Sequence, residues 1–156
     1  MRRVFWAALA VFLADQASKY WVVHMLGLDR LGRIEVWPPY LNLRMAWNYG
    51  INFGLFADDH PAMRWVLIAF ALAISGVVLW WLNREGGGRW QEIAAGVLIG
   101  GAMGNAVDRL LYGAVADFLN MSCCGIDNPY AFNVADIAVF AGAVGMVVFG
   151  AGKKPA

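Results

Sequence analysis

The sequence contains few charged residues. Only 15% of its 156 residues are Asp, Glu, Lys or Arg, whereas a soluble domain carries about 25%. So little charge cannot cover the surface of an ordinary soluble domain, and that class is excluded. The formal net charge is +1 and the cations are scattered along the chain. We therefore expect no nucleic-acid partner, because phosphate binding requires clustered basic residues.

The sequence also has few residues suited to metal binding or thiol chemistry. The two cysteines, Cys123 and Cys124, are adjacent and lack the C-x-x-C spacing of redox enzymes. This favours ordinary loop cysteines, either free or paired. The two histidines, His24 and His60, lack the helical H-E-x-x-H spacing of a zinc site. We therefore expect no metal site.

Apolar residues dominate the rest of the chain. They make up 61% of it, with 8 Trp and 9 Phe, and the mean hydropathy is +0.56. A helix needs about 20 apolar residues to cross a bilayer, and four segments approach this length: 4–23, 65–82, 93–111 and 134–150. The first begins like a signal peptide, but apolar residues resume after Lys19, which favours a retained helix. The sequence predicts an all-α membrane protein with four transmembrane helices, forming a single domain over residues 1–156.

Basic residues near the ends of these spans predict the orientation. They precede the first span, connect the second to the third and follow the fourth: Arg2, Arg3, Arg84, Arg89, Lys153 and Lys154. With four spans, all of these positions lie on one side, which the positive-inside rule makes cytoplasmic. Both termini are then expected to be cytoplasmic.

The segment that follows the first span predicts a strand. Apolar residues alternate with other residues at Leu41, Leu43, Met45 and Trp47, which is the period of a half-buried strand. We therefore expect a small antiparallel sheet on the outer face of the membrane.

Several ionisable residues fall inside these spans or at their ends. Asp15 and Lys19 belong to the first span, Asp108 and Arg109 belong to the third, and Asp136 opens the fourth. At about 1.5 Å per residue, all of them lie near the outer boundary. Ionisable groups in spans are costly and face protein or water, so their position at one depth indicates a polar pocket.

The same residues have structural interpretations, which stay open beside the functional one. Asp15 and Lys19 are spaced i, i+4 with the acid first, which suits an intrahelical ion pair. Asn133 and Asp136 are spaced as the N-cap and N3 residues of a capping box. The cation nearest to Asp108 in sequence is its neighbour on the helix, although successive helical residues point in different directions.

Asp117 and Asp136 differ from the other acids because neither has a basic residue nearby in the sequence. If their carboxyls meet at a partly dry interface, repulsion and desolvation both oppose double ionisation. One carboxyl then keeps a proton. Such a couple can activate water against a peptide carbonyl, as aspartic proteases do.

Four motifs are similar, in order and spacing, to the motif blocks of one known family. They are DQASK (15–19), WNYGINFGLF (47–56), GGAMGNAVDRLLYGAVADF (100–118) and FNVADIAVF (132–140). Over nearly its whole length the chain resembles the lipoprotein signal peptidases, which are signal peptidase II of bacteria. It departs from the family motifs at Asn52, where a small residue is usual, and at Ile137, where a small polar residue is common. These departures bear on substrate fit.

The resemblance implies a membrane aspartic endopeptidase that removes the signal peptide in front of a diacylglyceryl-modified cysteine of a prolipoprotein. It implies that Asp117 and Asp136 are the catalytic pair and that no metal or organic cofactor is used. The substrate-binding residues it implies are Asn48, Gly50, Asn105, Arg109 and Asn133, with polar support from Asp15, Lys19 and Asp108.

The resemblance also implies a location and partners. The location is the bacterial cytoplasmic membrane, with the active site at the outer, periplasmic face. The partners are the lipid-modified precursor and membrane lipid, and the chain is expected to be a monomer.

Two alternatives from other classes are a small proton-coupled transporter and a non-catalytic membrane assembly factor. A transporter predicts charges spread through the depth of the membrane, including the second span, and the sequence lacks this pattern. An assembly factor would tolerate Asp117→Asn. The G-x-G-D signature of other intramembrane aspartic proteases is absent from the sequence.

Overall fold

The structure is a computed structural model that describes residues 1–50 and 62–150. Helix α1 (Arg2–Lys19) continues through a π-helical turn (Tyr20–Met25) and is followed by the short helix α2 (Leu28–Leu31). The strands are β1 (Arg33–Trp37), β2 (Leu41–Asn48) and β3 (Val115–Met121), and the remaining helices are α3 (Met63–Glu85), α4 (Arg89–Tyr112) and α5 (Val134–Gly150). The described residues are thus mostly helical with one small sheet, as the sequence predicts.

The four long helices coincide with the predicted spans, but they differ in how well they suit a bilayer. By length and hydropathy, α3 is the one helix among the described residues that could cross a membrane, with a mean hydropathy of 2.3 in its most apolar window. Helix α5 is apolar but has only 17 residues. Helices α1 and α4 carry the charges described above, which lower their hydropathy. The predicted count of four spans is therefore not established by composition.

Helix α4 lies at the centre of the fold and packs against α1, α3 and α5. Small residues let the helices approach closely. A Cβ added at Gly96 or Gly100 would meet the α1 backbone oxygens of Val4 and Ala8, each at 2.5 Å. On α5, a Cβ at Gly142 would meet the Leu98 nitrogen at 2.5 Å. This pattern of small residues spaced by four is typical of helices packed within membranes.

The sheet has the order β1-β2-β3 and both pairings are antiparallel. A register shift between Leu43 and Ala46 interrupts the pairing of β2 with β3. Leu43 is accordingly buried, whereas Trp47 is exposed, so the predicted alternation does not run through the whole strand. Leu28, Leu43 and Phe118 form the buried contact between the sheet and α2. The predicted strand and sheet are confirmed, but β3 was not foreseen.

Candidate active site

A buried ion cluster joins α1 to α4. Lys19 Nζ lies 2.8 Å from Asp15 Oδ2 and 2.8 Å from Asp108 Oδ2, so one cation forms ion pairs with two acids. All three side chains are less than 10% exposed. The predicted i, i+4 pair of Asp15 and Lys19 is confirmed. The cation beside Asp108 is Lys19 and not its sequence neighbour Arg109, because successive helical residues diverge.

This cluster also accepts hydrogen bonds from two backbone amides. Asp15 Oδ1 accepts from the Ala135 N–H at 2.9 Å, and Asp108 Oδ2 accepts from the Ala116 N–H at 3.2 Å. Both alanines are buried, and each directly precedes another acid in the same tripeptide, Val-Ala-Asp. The ion cluster therefore fixes the backbone immediately before Asp117 and Asp136.

The sequence did not predict that two further residues contact this cluster. Gln16 donates from Nε2 to Asp15 at 3.2 Å and to Asp108 at 3.0 Å. Gly104 lies so close to Asp15 that any Cβ there would overlap the carboxylate. Both belong to quoted motifs, but only the packing of α1 against α4 shows what they contact.

Asp136 lies at the start of α5 and takes part in a reciprocal capping box. Asn133 Oδ1 accepts from the Asp136 N–H at 2.8 Å, and Asp136 Oδ2 accepts from the Asn133 N–H at 3.2 Å. The predicted capping spacing is thus confirmed. The other carboxylate oxygen, Oδ1, accepts from Asn105 Nδ2 at 2.9 Å. The helix N-terminus further favours a negative charge here.

Asp117 lies on β3 and is 2% exposed. Its two oxygens accept from amide side chains: Asn48 Nδ2 at 3.0 Å and Asn133 Nδ2 at 2.6 Å. Asn48 comes from β2, which pairs with β3. Asn133 therefore bonds to both Asp117 and Asp136 and joins the two carboxyls in one network.

No ion pair within 4.0 Å involves Asp117 or Asp136 among residues 1–50 and 62–150. Burial, together with the nearby charge of Asp136, raises the pKa of Asp117 to about 7. Near neutral pH this carboxyl therefore exchanges its proton readily.

Arg109 connects the site to the end of β2. Its Nη2 donates to the Gly50 carbonyl at 2.8 Å, and its Nη1 donates to the Asn105 carbonyl at 3.3 Å. Its buried Nε has no hydrogen-bond partner among the described residues. The Gly50 N–H donates to Asn48 Oδ1 at 3.1 Å. The residues for which the family resemblance implies a substrate-binding role thus lie around the two acids.

An apolar groove of about 580 Å³ opens at this site between α3, α4 and α5. Its polar end is formed by Asn105, Arg109 and Asp136. Large apolar side chains of α3 and α5, including Phe70, Ile74 and Phe140, line the rest. We call this cavity the α3–α5 groove. It can hold an apolar chain with one end beside the acids.

The other residues considered in the sequence lie elsewhere. Cys123 and Cys124 are exposed and unbridged in a turn after β3. His24 lies at the end of the first helix, against the Tyr20 ring. Among the described residues no group of three or more His, Cys, Asp or Glu could hold a metal ion. His60, Asn52 and the motif positions 51–56 lie outside the described residues, as do Lys153 and Lys154.

Comparison with known proteins identifies the family. A family model described as Signal peptidase (SPase) II matches residues 7–151. A protein named lipoprotein signal peptidase from Methylorubrum extorquens (strain PA1) is 41% identical over 145 residues, which are 91% of this chain and 81% of that protein. One of the same name from Aeromonas hydrophila subsp. hydrophila is 40% identical over 149 residues, covering 95% of this chain and 87% of its own length.

The chain belongs to the signal peptidase II family. It is therefore a peptidase. The fold is similar to that of a solved bacterial membrane enzyme, with a TM-score of 0.81 and 23% identity, covering 100% of this chain and 94% of that one. At this identity the likeness concerns the fold alone.

Proposed function

We propose that this member of the signal peptidase II family removes signal peptides from prolipoproteins by hydrolysing the bond before a diacylglyceryl-modified cysteine. The relatives are named lipoprotein signal peptidases, which supports this substrate class. The observation that carries the proposal is the pair Asp117 and Asp136, which share Asn133 and make no ion pair within 4.0 Å among the described residues.

In the proposed mechanism the two carboxyls share one proton. The ionised carboxyl takes a proton from water, and the resulting hydroxide attacks the scissile carbonyl carbon. The protonated carboxyl donates its proton to the carbonyl oxygen. The tetrahedral intermediate then collapses, the C–N bond breaks, and a proton passes to the leaving amine. The pair titrates as a unit, so base and acid are roles of the couple and not of fixed residues.

The surrounding residues position the substrate in this proposal. Arg109 lines the polar end of the α3–α5 groove, where its guanidinium can donate to a carbonyl of the substrate backbone. Asn48, Asn105 and Asn133 hold the carboxyls in place. The apolar signal peptide occupies the α3–α5 groove, whose apolar walls end at Asp136.

The proposed location is the bacterial inner membrane, with α1, α3, α4 and α5 spanning it and both termini cytoplasmic. Large apolar side chains on the outside of the bundle support a lipid environment. Examples are Trp6, Val77 and Val147, each at least 60% exposed. Soluble monomers rarely expose contiguous apolar surface of this kind. The acids and the sheet then lie together at the outer face.

Cleavage of matched precursor peptides in bilayers tests this function. One peptide carries a diacylglyceryl cysteine and the other the same sequence with an unmodified cysteine, and mass spectrometry locates the cut. We expect hydrolysis directly before the lipid-modified cysteine and little hydrolysis of the unmodified peptide. Cleavage elsewhere, or no cleavage of either peptide, would contradict the proposal.

A further inference from the structure

A second groove lies between α1 and α4, at the end of the bundle opposite the acids. Its volume is about 580 Å³, and we call it the α1–α4 groove. Arg89 begins α4 and precedes Asp108 on that helix by about 19 residues, or about 28 Å. Three arginines and three apolar residues line the groove: Arg2, Arg3, Arg89, Trp6, Ala7 and Ile93. The groove is therefore separate from the site around Asp117 and Asp136.

The positive charge of the α1–α4 groove is only partly balanced. Arg3 Nη1 lies 3.1 Å from Glu92 Oε2. Arg2 and Arg89 make no ion pair within 4.0 Å among residues 1–50 and 62–150, and no acid of those residues lines the groove. Arg89 Cζ also lies 5.5 Å from the centroid of the Trp90 ring, a contact that leaves its charge without a carboxylate. Three guanidinium groups beside one carboxylate leave an excess of positive charge, which favours an anionic ligand.

Charged and apolar residues lie at different depths in this groove. Each apolar lining residue follows an arginine of the same helix by four positions, which is one turn or about 6 Å. These pairs are Arg2 and Trp6, Arg3 and Ala7, and Arg89 and Ile93. Further along the bundle the two helices close, since a Cβ added at Gly96 would meet the Ala7 Cβ at 2.7 Å. The groove can therefore hold a ligand that has an anionic head and an apolar body.

We propose that the α1–α4 groove binds an anionic phospholipid of the phosphatidylglycerol class from the inner leaflet of the membrane. The inference rests on the proposed location, which puts the starts of α1 and α4 at the cytoplasmic surface. Guanidinium groups donate paired hydrogen bonds to phosphate oxygens, and basic pockets between helices at this surface suit anionic headgroups. A phosphatidylcholine headgroup is a poorer ligand because its own ammonium offsets the phosphate. A signal peptide is a poorer ligand too, because its start is positively charged.

Lipid binding to the detergent-solubilised protein tests the inference without any precursor. Native mass spectrometry titrations measure Kd for phosphatidylglycerol, for phosphatidylcholine and for glycerophosphoglycerol, which is the soluble headgroup alone. The variants are Arg2→Gln, Arg89→Gln, the two combined, and Arg89→Lys, which keeps the charge. The matched control is Arg84→Gln. Arg84 lies on α3 at the same end of the bundle, over the Trp80 ring and outside the groove.

We expect the wild type to bind phosphatidylglycerol more tightly than either of the other two ligands. One basic residue near a membrane surface contributes about fivefold to the affinity for an anionic lipid. Arg2→Gln and Arg89→Gln should therefore each raise Kd about fivefold, and the double variant about 25-fold. Arg89→Lys and Arg84→Gln should leave Kd within about twofold of the wild type. Equal Tm values in phosphatidylcholine show that all variants fold.

Three results would overturn the inference. Equal Kd values for phosphatidylglycerol and phosphatidylcholine would mean that the groove does not recognise net charge. An equal loss of affinity in Arg84→Gln would assign the attraction to the whole basic end of the bundle. Binding of glycerophosphoglycerol as tight as that of the lipid would make the groove a site for a soluble phosphate.

Precursor cleavage is measured separately in phosphatidylcholine. If the wild type does not cleave the lipid-modified precursor but binds phosphatidylglycerol as expected, the proposed function fails and the lipid site stands. If cleavage is normal and the lipid selectivity is absent, only this inference fails.

Discussion

Two groups of acids lie side by side in this protein, and their surroundings differ. Asp15 and Asp108 share Lys19, which lies 2.8 Å from each. Asp117 and Asp136 are held by the amides of Asn48, Asn105 and Asn133 instead (2.6 to 3.0 Å from the side chains). A cation in contact favours the ionised form of a carboxylate, whereas burial without an ion pair favours the protonated form. The first group is therefore suited to stabilising the fold. The second group is suited to acid–base chemistry.

The two groups are also physically connected. The ion cluster accepts the N–H groups of Ala116 and Ala135, which directly precede the two amide-held acids. Lys19 Nζ donates to Asn105 Oδ1 at 3.2 Å, and Asn105 donates to Asp136. The structural group thus fixes the geometry of the chemical group.

The largest expected effect comes from removing either amide-held acid. Asp117→Asn and Asp136→Asn should each lower kcat by about 10³-fold or more, because general acid–base catalysis contributes about 10²–10⁴-fold and the couple fails when one member is lost. The variants should remain folded, since Asn keeps the shape of Asp. Turnover of a lipid-modified precursor and the Tm of each variant check this. Wild-type turnover in both variants would show that these acids serve only as caps and sheet residues.

The next effect is a loss of stability when the ion cluster is disrupted. Lys19→Met leaves Asp15 and Asp108 buried without their cation, which should cost about 3 kcal/mol of unfolding free energy. Adding Asp108→Asn should recover part of this loss, because Asn still offers an oxygen to the Ala116 N–H. Denaturant unfolding of the wild type, the single variant and the double variant measures the recovery. A double variant no more stable than Lys19→Met would show that charge is not the cause.

A smaller effect tests how tightly the cluster is packed. Gly104→Ala should destabilise the protein by about 1–3 kcal/mol, because the new Cβ overlaps the Asp15 carboxylate. Gly76→Ala on α3 is the matched control, since a Cβ there meets nothing within 4 Å, and it should be neutral or slightly stabilising. Equal Tm values for the two variants would mean that Asp15 can move aside freely.

The last effect is a pH dependence of stability. Burial first, and then the charge of Asp136, raise the pKa of Asp117 from 3.8 to about 7 in the folded protein. Between these values the folded state binds more protons than the unfolded state, so this group lowers stability as pH rises. Asp117→Asn removes the dependence.

The free energy of unfolding of Asp117→Asn relative to the wild type should therefore increase from about pH 5 to about pH 7 by about 2–3 kcal/mol and level off by about pH 8. Unfolding at several pH values measures this difference, and Glu92→Gln is a control that leaves the buried acids in place. A difference that is constant over this range would show that Asp117 is ionised throughout.

The sequence was informative where one segment determines the structure by itself. The long apolar runs predicted the four helices. The spacing of Asn133 and Asp136 predicted the capping box, and the spacing of Asp15 and Lys19 predicted the ion pair. Such features depend on contacts within about one helical turn, which periodicity encodes.

The sequence was less informative where two segments must meet. The second acid bound by Lys19 is Asp108, on α4, and its choice depends on how α1 packs against that helix. Strand β3 is formed because β2 pairs with it, and Gln16 gains its role from the same helix packing. Spacing alone does not encode contacts between distant segments.

The pH dependence of precursor cleavage tests the central contrast most directly. If Asp117 and Asp136 work as a couple that shares one proton, kcat/KM should fall as pH rises above about 7, by about tenfold per pH unit, because the acid member is then lost. Asp108→Asn should keep the same descending limb, since the ion cluster is not part of the couple. A wild-type profile that stays flat up to about pH 9 would contradict a shared proton and, with it, the proposed division between structural and chemical acids.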